Sequence, residues 1–128
     1  MALRDQLQVL VVDDMSTSRG LITQALDGFG VRSIATASDG PSALASIAKT
    51  PVHLVISDYN MPGMDGLALL EALRRGAQTS GIGFLLITGR ADREIVERGR
   101  ALKMNNFIKK PFAPADLKAA IEAIVGPL

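Results

Sequence analysis

Five polar residues stand just after short apolar runs, which suggests that they share one site. Asp13 and Asp14 follow the run 9–12, Asp58 follows 54–57 and Thr88 follows 84–87. Lys110 comes two residues after the run 106–108 and directly before Pro111. If these side chains meet, three carboxylates and one ammonium leave a formal charge of −2. Crowded carboxylates raise one another's pKa and oppose folding. A divalent cation brings the sum to zero, and an all-oxygen donor set suits Mg²⁺, which takes octahedral coordination at about 2.0–2.1 Å. A single aspartate after a strand is commonly a helix cap. Three of them, with a threonine and a lysine at matching positions, fit caps poorly.

For these residues to converge, the elements carrying them must lie side by side. The apolar runs 9–12, 33–37, 54–57, 84–87 and 106–108 read as strands. Between and after them, 16–29, 41–48, 65–75, 92–102 and 114–125 have helical period. Punctuation agrees: Pro41 sits in a first turn, Gly28 with Gly30, Gly76, and Gly126 with Pro127 close helices, and Gly99 weakens the fourth. Strands buried on both faces read as unbroken apolar runs, and alternation with helices argues a parallel sheet covered on both sides. The predicted fold is an α/β doubly wound five-stranded parallel sheet of order 2-1-3-4-5. In that order the first, third, fourth and fifth strands are neighbours. Their carboxyl ends form the rim where ligands bind in such folds.

The chain has 128 residues, 48% apolar and 21% charged, with a net charge of +1. That size fits one domain spanning 1–128, used up by the five βα units, with no attached output domain. Near-neutral charge gives no reason to expect nucleic acid or a membrane surface as partner. The absence of cysteine excludes disulfides and thiolate metal sites and suits a reducing cytoplasm. The polar stretch 1–8 has no signal-peptide core, and no apolar run approaches the roughly 20 residues of a membrane span. The first strand is followed by neither of the common glycine-rich phosphate loops, which disfavours a nucleotide enzyme.

Four blocks now stand in order: Val11-Val12-Asp13-Asp14, Ser57-Asp58-Tyr59-Asn60-Met61-Pro62-Gly63-Met64-Asp65-Gly66, Ile87-Thr88 and Lys109-Lys110-Pro111-Phe112. In combination they resemble the receiver domains of two-component signalling over essentially the full length, and most nearly the stand-alone chemotaxis members. The resemblance implies a flavodoxin-like fold and a phosphoacceptor, not an enzyme acting on other substrates. It implies that Asp58 accepts a phosphoryl group from a phosphohistidine on a sensor histidine kinase. Asp13, Asp14 and Asp58, with the backbone carbonyl of Asn60, would hold Mg²⁺. Lys110 would pair with the phosphoryl group, its bond to Pro111 being cis, and Thr88 would donate its hydroxyl. Lys109 is the rival site lysine. The chain is expected to be a cytoplasmic monomer. A flagellar motor switch protein is one candidate output partner, and the sequence does not choose it over a phosphate sink or relay intermediate, which keeps the same acceptor. An aspartyl-nucleophile Mg²⁺ phosphatase is disfavoured, because Asn60 and not a second aspartate stands two residues after Asp58.

Other features have competing readings. Phe107 lies where the family couples threonine movement to an aromatic, more often tyrosine; it is equally a core aromatic. Arg90, Arg93, Arg98, Arg100, Lys103, Lys109 and Lys110 make a basic region, read as a solvated face or a docking surface for an acidic or amphipathic segment. Asn60 and Arg90 stand near the expected path of attacking water. His53 reads as structural, Met15, Met61 and Met64 as cover over the pocket, and Ala113 as a helix start without a hydroxyl cap.

Overall fold

The computed structural model describes residues 3–89 and 93–128. The chain runs α1 (Leu3–Gln6), β1 (Gln8–Val12), α2 (Ser16–Gly28), β2 (Ser33–Ala37), α3 (Gly40–Lys49), β3 (Leu54–Asp58), α4 (Gly66–Arg75), β4 (Gly83–Thr88), α5 (Arg93–Ala101), β5 (Asn106–Lys109) and α6 (Pro114–Val125). The strands form one sheet in the order β2-β1-β3-β4-β5, with every neighbouring pair parallel. This is the predicted flavodoxin-like topology.

Side-chain alternation on the central strands explains the unbroken apolar runs. Leu10, Val12, Val55, Phe84 and Leu86 pack on one side against Ala43 and Ile47 of α3, Leu67, Leu70 and Leu73 of α4 and Ile95 of α5. Val9, Val11, Leu54, Ile56, Leu85 and Ile87 pack on the other against Ile22 and Leu26 of α2 and Leu117 and Ile121 of α6. Both faces are thus covered, and β3 and β4 are buried at every position. The edge strands differ: β2 buries only Ala37, and β5 is half-buried up to Ile108 and exposed at Lys109.

The helix ends follow local chemistry. Asp39 caps α3 by accepting from the Ser42 N–H, and Asp65 caps α4 by accepting from the Ala68 N–H at 2.8 Å. Ala113 offers no side-chain acceptor, but the Asp116 carboxylate accepts from its backbone N–H at 2.9 Å, which satisfies one free donor of α6. Gly99 has a packing reason inside α5: a Cβ there would stand 2.6 Å from Met104 Sδ. In the polar start of the chain, where the sequence predicts no element, Leu3–Gln6 make the single turn α1. The predicted helix 92–102 is seen as Arg93–Ala101, and Arg90 and Asp92 lie outside the described residues.

Arg74, at the end of α4, ties the lower part of the sheet together. Its guanidinium donates to the carbonyls of Ser80, Ile82, Leu102 and Lys103 and to Asn105 Oδ1, at 2.8–3.2 Å. Asn105 Oδ1 also accepts from the Phe84 N–H at 2.8 Å, so this arginine helps set where β4 and β5 begin.

Candidate functional site

At the carboxyl rim of the sheet, Asp13 is the first residue beyond β1 and is fully buried. Its N–H donates to the Ala37 carbonyl at 3.1 Å, and its Oδ1 accepts from the Met15 N–H at 2.9 Å. Asp14 follows and is exposed. Asp58 ends β3 and is 6% exposed. It is opposite Ile87 in the β3–β4 register, so the buried Thr88 stands one position further on at the end of β4. Thr88 is opposite Lys109 in the β4–β5 register.

The loop after β3 is held close to the strand end. The Tyr59 N–H donates to the Ile87 carbonyl at 2.8 Å, and the Gly66 N–H donates to the Tyr59 carbonyl at 2.9 Å. A Cβ on Gly66 would lie 2.6 Å from the Asp58 carbonyl oxygen, so only glycine lets α4 start this near Asp58. Asn60 lies in this loop, exposed, two residues beyond Asp58.

Beyond β5 the Lys110 N–H donates to the Thr88 carbonyl at 2.8 Å, and the Lys110–Pro111 peptide bond is cis, as expected. Lys110 Nζ lies 3.0 Å from Asp58 Oδ1, 3.9 Å from Asp13 Oδ2 and 3.5 Å from Ser18 Oγ. Lys109 is exposed, so Lys110 is the ammonium that meets the aspartates. The predicted convergence therefore holds for Asp13, Asp14, Asp58 and Lys110. Thr88 occupies the same rim by strand register, and Asn60 occupies the adjoining loop.

Burial pushes the Asp58 carboxyl above the usual carboxylate range. The hydrogen bond and charge of Lys110 pull it down, and the charges of Asp13 and Asp14 push it up again. Ligand oxygens of Asp13, Asp14 and Asp58 lie within 4.8 Å of one another, close enough to share one ion. Asp13 Oδ2 is buried and accepts no hydrogen bond. Lys110 Nζ, at 3.9 Å, is too far for a hydrogen bond, and a buried carboxylate oxygen without a donor is costly unless a cation approaches more closely. An oxygen-only donor set of this kind fits a small, hard divalent cation.

Two contacts were not foreseen from the sequence. Arg19 Nη1 donates to the Asp13 carbonyl at 2.6 Å, and Ser18 touches Lys110. The one available signal was Arg19 itself. A cation in the first turn of a helix opposes the helix dipole, which hints at a local anionic or carbonyl partner. Other expectations are corrected. Met61 is part of the core and Met64 packs against that core, so neither serves as a cover, while Met15 is exposed. His53 has the structural role expected: its Nδ1 accepts from the Gln8 N–H at 3.0 Å, where β1 begins. Phe107 is half-buried against the core that includes Phe84 and Leu86.

Known proteins resemble the chain in the same terms. The family model "Response regulator receiver domain" matches residues 9–122. The probable chemotaxis protein CheY of Rhizobium etli is 42% identical over 128 residues, covering 100% of this chain and 99% of that protein. Chemotaxis protein CheY-3 of Vibrio cholerae is 34% identical over 122 residues, covering 95% and 94%. The crystal structure of Vibrio cholerae CheY4 superposes with a TM-score of 0.87 at 31% identity, covering 92% of this chain and 98% of that one. With the acidic rim in place and these likenesses across nearly its whole length, the chain belongs to the response regulator receiver domain family.

Proposed function

We propose that this receiver is a Mg²⁺-dependent phosphoacceptor. Asp58 takes a phosphoryl group from a phosphohistidine of a sensor histidine kinase, and the phosphorylated form signals by binding another protein. The observation that carries this reading is the pairing of Lys110 Nζ with Asp58 Oδ1 at 3.0 Å beside an aspartate oxygen left without a hydrogen bond.

In the transfer, an Asp58 carboxylate oxygen attacks phosphorus and the P–N bond breaks. The electron pair leaves on the imidazole nitrogen, which takes a proton. Burial makes Asp58 more basic than an exposed aspartate and so a better nucleophile. Asp13, Asp14 and Asp58, with the Asn60 carbonyl, would hold Mg²⁺, which when bound neutralises charge gathering on the phosphoryl oxygens. Lys110 would move its hydrogen bond from the carboxylate to a phosphoryl oxygen, and the Thr88 hydroxyl would donate to another. Water attacking the same phosphorus later breaks its bond to the Asp58 oxygen, which releases inorganic phosphate and restores the carboxylate. These steps act on the protein itself, in keeping with a signalling protein and not an enzyme with a separate substrate.

The relatives named as chemotaxis proteins support a flagellar motor switch protein as the output partner. Arg98, Arg100, Lys103 and Lys109 are exposed and Phe107 is half-buried, and basic side chains of this kind suit an acidic or amphipathic segment. Phe107 has no hydroxyl, so any movement that it shares with Thr88 is transmitted by packing alone. No helix among the described residues is long and apolar enough to cross a membrane. We take the five βα units as one receiver domain acting as a monomer in the cytoplasm.

Incubation with a small acyl phosphate and Mg²⁺ tests the acceptor: intact mass should show one added phosphoryl on the wild type and none on Asp58→Asn. Labelling that survives Asp58→Asn would refute it. Capture of a flagellar switch protein only in the presence of beryllofluoride, a phosphoryl mimic, supports motor output. Failure of capture by a protein that still labels favours a phosphate sink or relay intermediate.

A further inference from the structure

Three of the four polar atoms of Asp13 are tied down. Its N–H is held by Ala37, its Oδ1 by the Met15 N–H, and its carbonyl by Arg19 Nη1 at 2.6 Å. Only the buried Oδ2 accepts no hydrogen bond. The carbonyl tie is the unusual one. Asp13 lies just past the last residue of β1, where the parallel ladders to β2 and β3 have ended at Val12. A carbonyl of a buried residue at that point needs a partner that no strand supplies. Arg19 reaches back from the first turn of α2 to provide it.

The consequence extends beyond one carbonyl. The peptide between residues 13 and 14 is planar and rigid, so a donor fixed on its oxygen also fixes the direction in which the chain enters Asp14. One guanidinium therefore sets the orientation of both acids in the loop. It also adds a positive charge beside a cluster that bears three negative ones.

We propose that Arg19 is a positioning residue for the divalent-cation site. It holds the peptide between residues 13 and 14 so that the free oxygen of Asp13 and the carboxylate of Asp14 point at one ion. Without it, the peptide turns to find another donor and both carboxylates lose their aim. This inference rests on the Mg²⁺-binding reading of the site.

The test is calorimetric titration of the metal-free full chain with MgCl₂, with no phosphodonor present. Arg19→Met keeps the stem and removes the donor, and it should weaken Mg²⁺ binding about tenfold, the low end for partners that orient metal ligands. Arg19→Lys keeps a charged donor of similar reach and should bind close to the wild-type value. If Arg19→Met does not fold, Arg19→Leu, which also lacks a donor, is read in its place, with the same weakening expected. Unchanged affinity in the donor-free variant overturns the proposal. Equal weakening in Arg19→Met and Arg19→Lys also overturns it, because any change at that position would then act through general damage. Asp14→Asn separates the two levels: a wild type whose Mg²⁺ binding is absent, or is untouched by Asp14→Asn, refutes the metal site itself and not only the role of Arg19.

Discussion

Asp58 carries an electrostatic cost that the fold accepts for the sake of its site. Its carboxyl is raised, first by burial and then by Asp13 and Asp14, with Lys110 opposing. A raised carboxyl favours the protonated folded state. Its contribution to stability is therefore full below the ordinary carboxylate pKa and is lost as pH rises through the folded value. At neutral pH without divalent cation, Asp58→Asn should melt at a higher temperature than the wild type. The gap should narrow on acidification to pH about 4, near the ordinary aspartate pKa. Identical melting midpoints for the two proteins at both pH values would contradict this. At this scale the sequence was informative about residue types at strand ends, and Asp13, Asp14, Asp58 and Lys110 meet as expected. It was silent on Arg19 and Ser18, because spacing does not say where a long or small side chain on a helix turns to find a partner.

Among the elements, α4 is anchored at both ends by side chains that bond to backbone. Asp65 caps its start, and Arg74 at its end uses all five of its N–H donors on four carbonyls and one side-chain amide. Burial lowers the Arg74 pKa from its ordinary value, yet no carboxylate is among these partners. Arg74→Met should cost about 3 kcal/mol, since several acceptors would be left without a donor. Chemical denaturation measures this, and a loss no larger than that of an ordinary surface substitution would show that water replaces the guanidinium freely. Helix and strand positions were largely legible from apolar period and from Gly and Pro punctuation, as with Pro114–Val125, which matches its expected bounds. The turn α1 was not legible, because four residues carry no period to detect. Nor was the reason for Gly99, which depends on Met104 arriving from the loop beyond α5.

For the whole molecule, strand order does most of the functional work. Placing β1 between β2 and β3 brings Asp13 and Asp14 beside Asp58, and placing β4 and β5 next in line adds Thr88 and Lys110. The order was legible because short parallel crossovers of one hand leave few arrangements of five βα units. The register was not, and it is the register that decides which oxygen is left orphaned. A site that binds Mg²⁺ only when folded links metal to global stability. At 100 times the dissociation constant the gain should be about 2.7 kcal/mol. Melting midpoints that rise with MgCl₂ in the wild type, and stay level in Asp14→Asn, are the expected result; a flat response in both would deny the linkage.

The most direct measurement locates the phosphoryl group itself. The chain is treated with a small acyl phosphate, with Mg²⁺ or with a chelator, then reduced with borohydride, which converts an aspartyl phosphate to homoserine. Peptide sequencing by mass spectrometry should find homoserine at position 58 alone, and only in the Mg²⁺ sample. Homoserine at position 13 or 14, or at 58 regardless of chelation, would contradict a cation-assisted attack by Asp58.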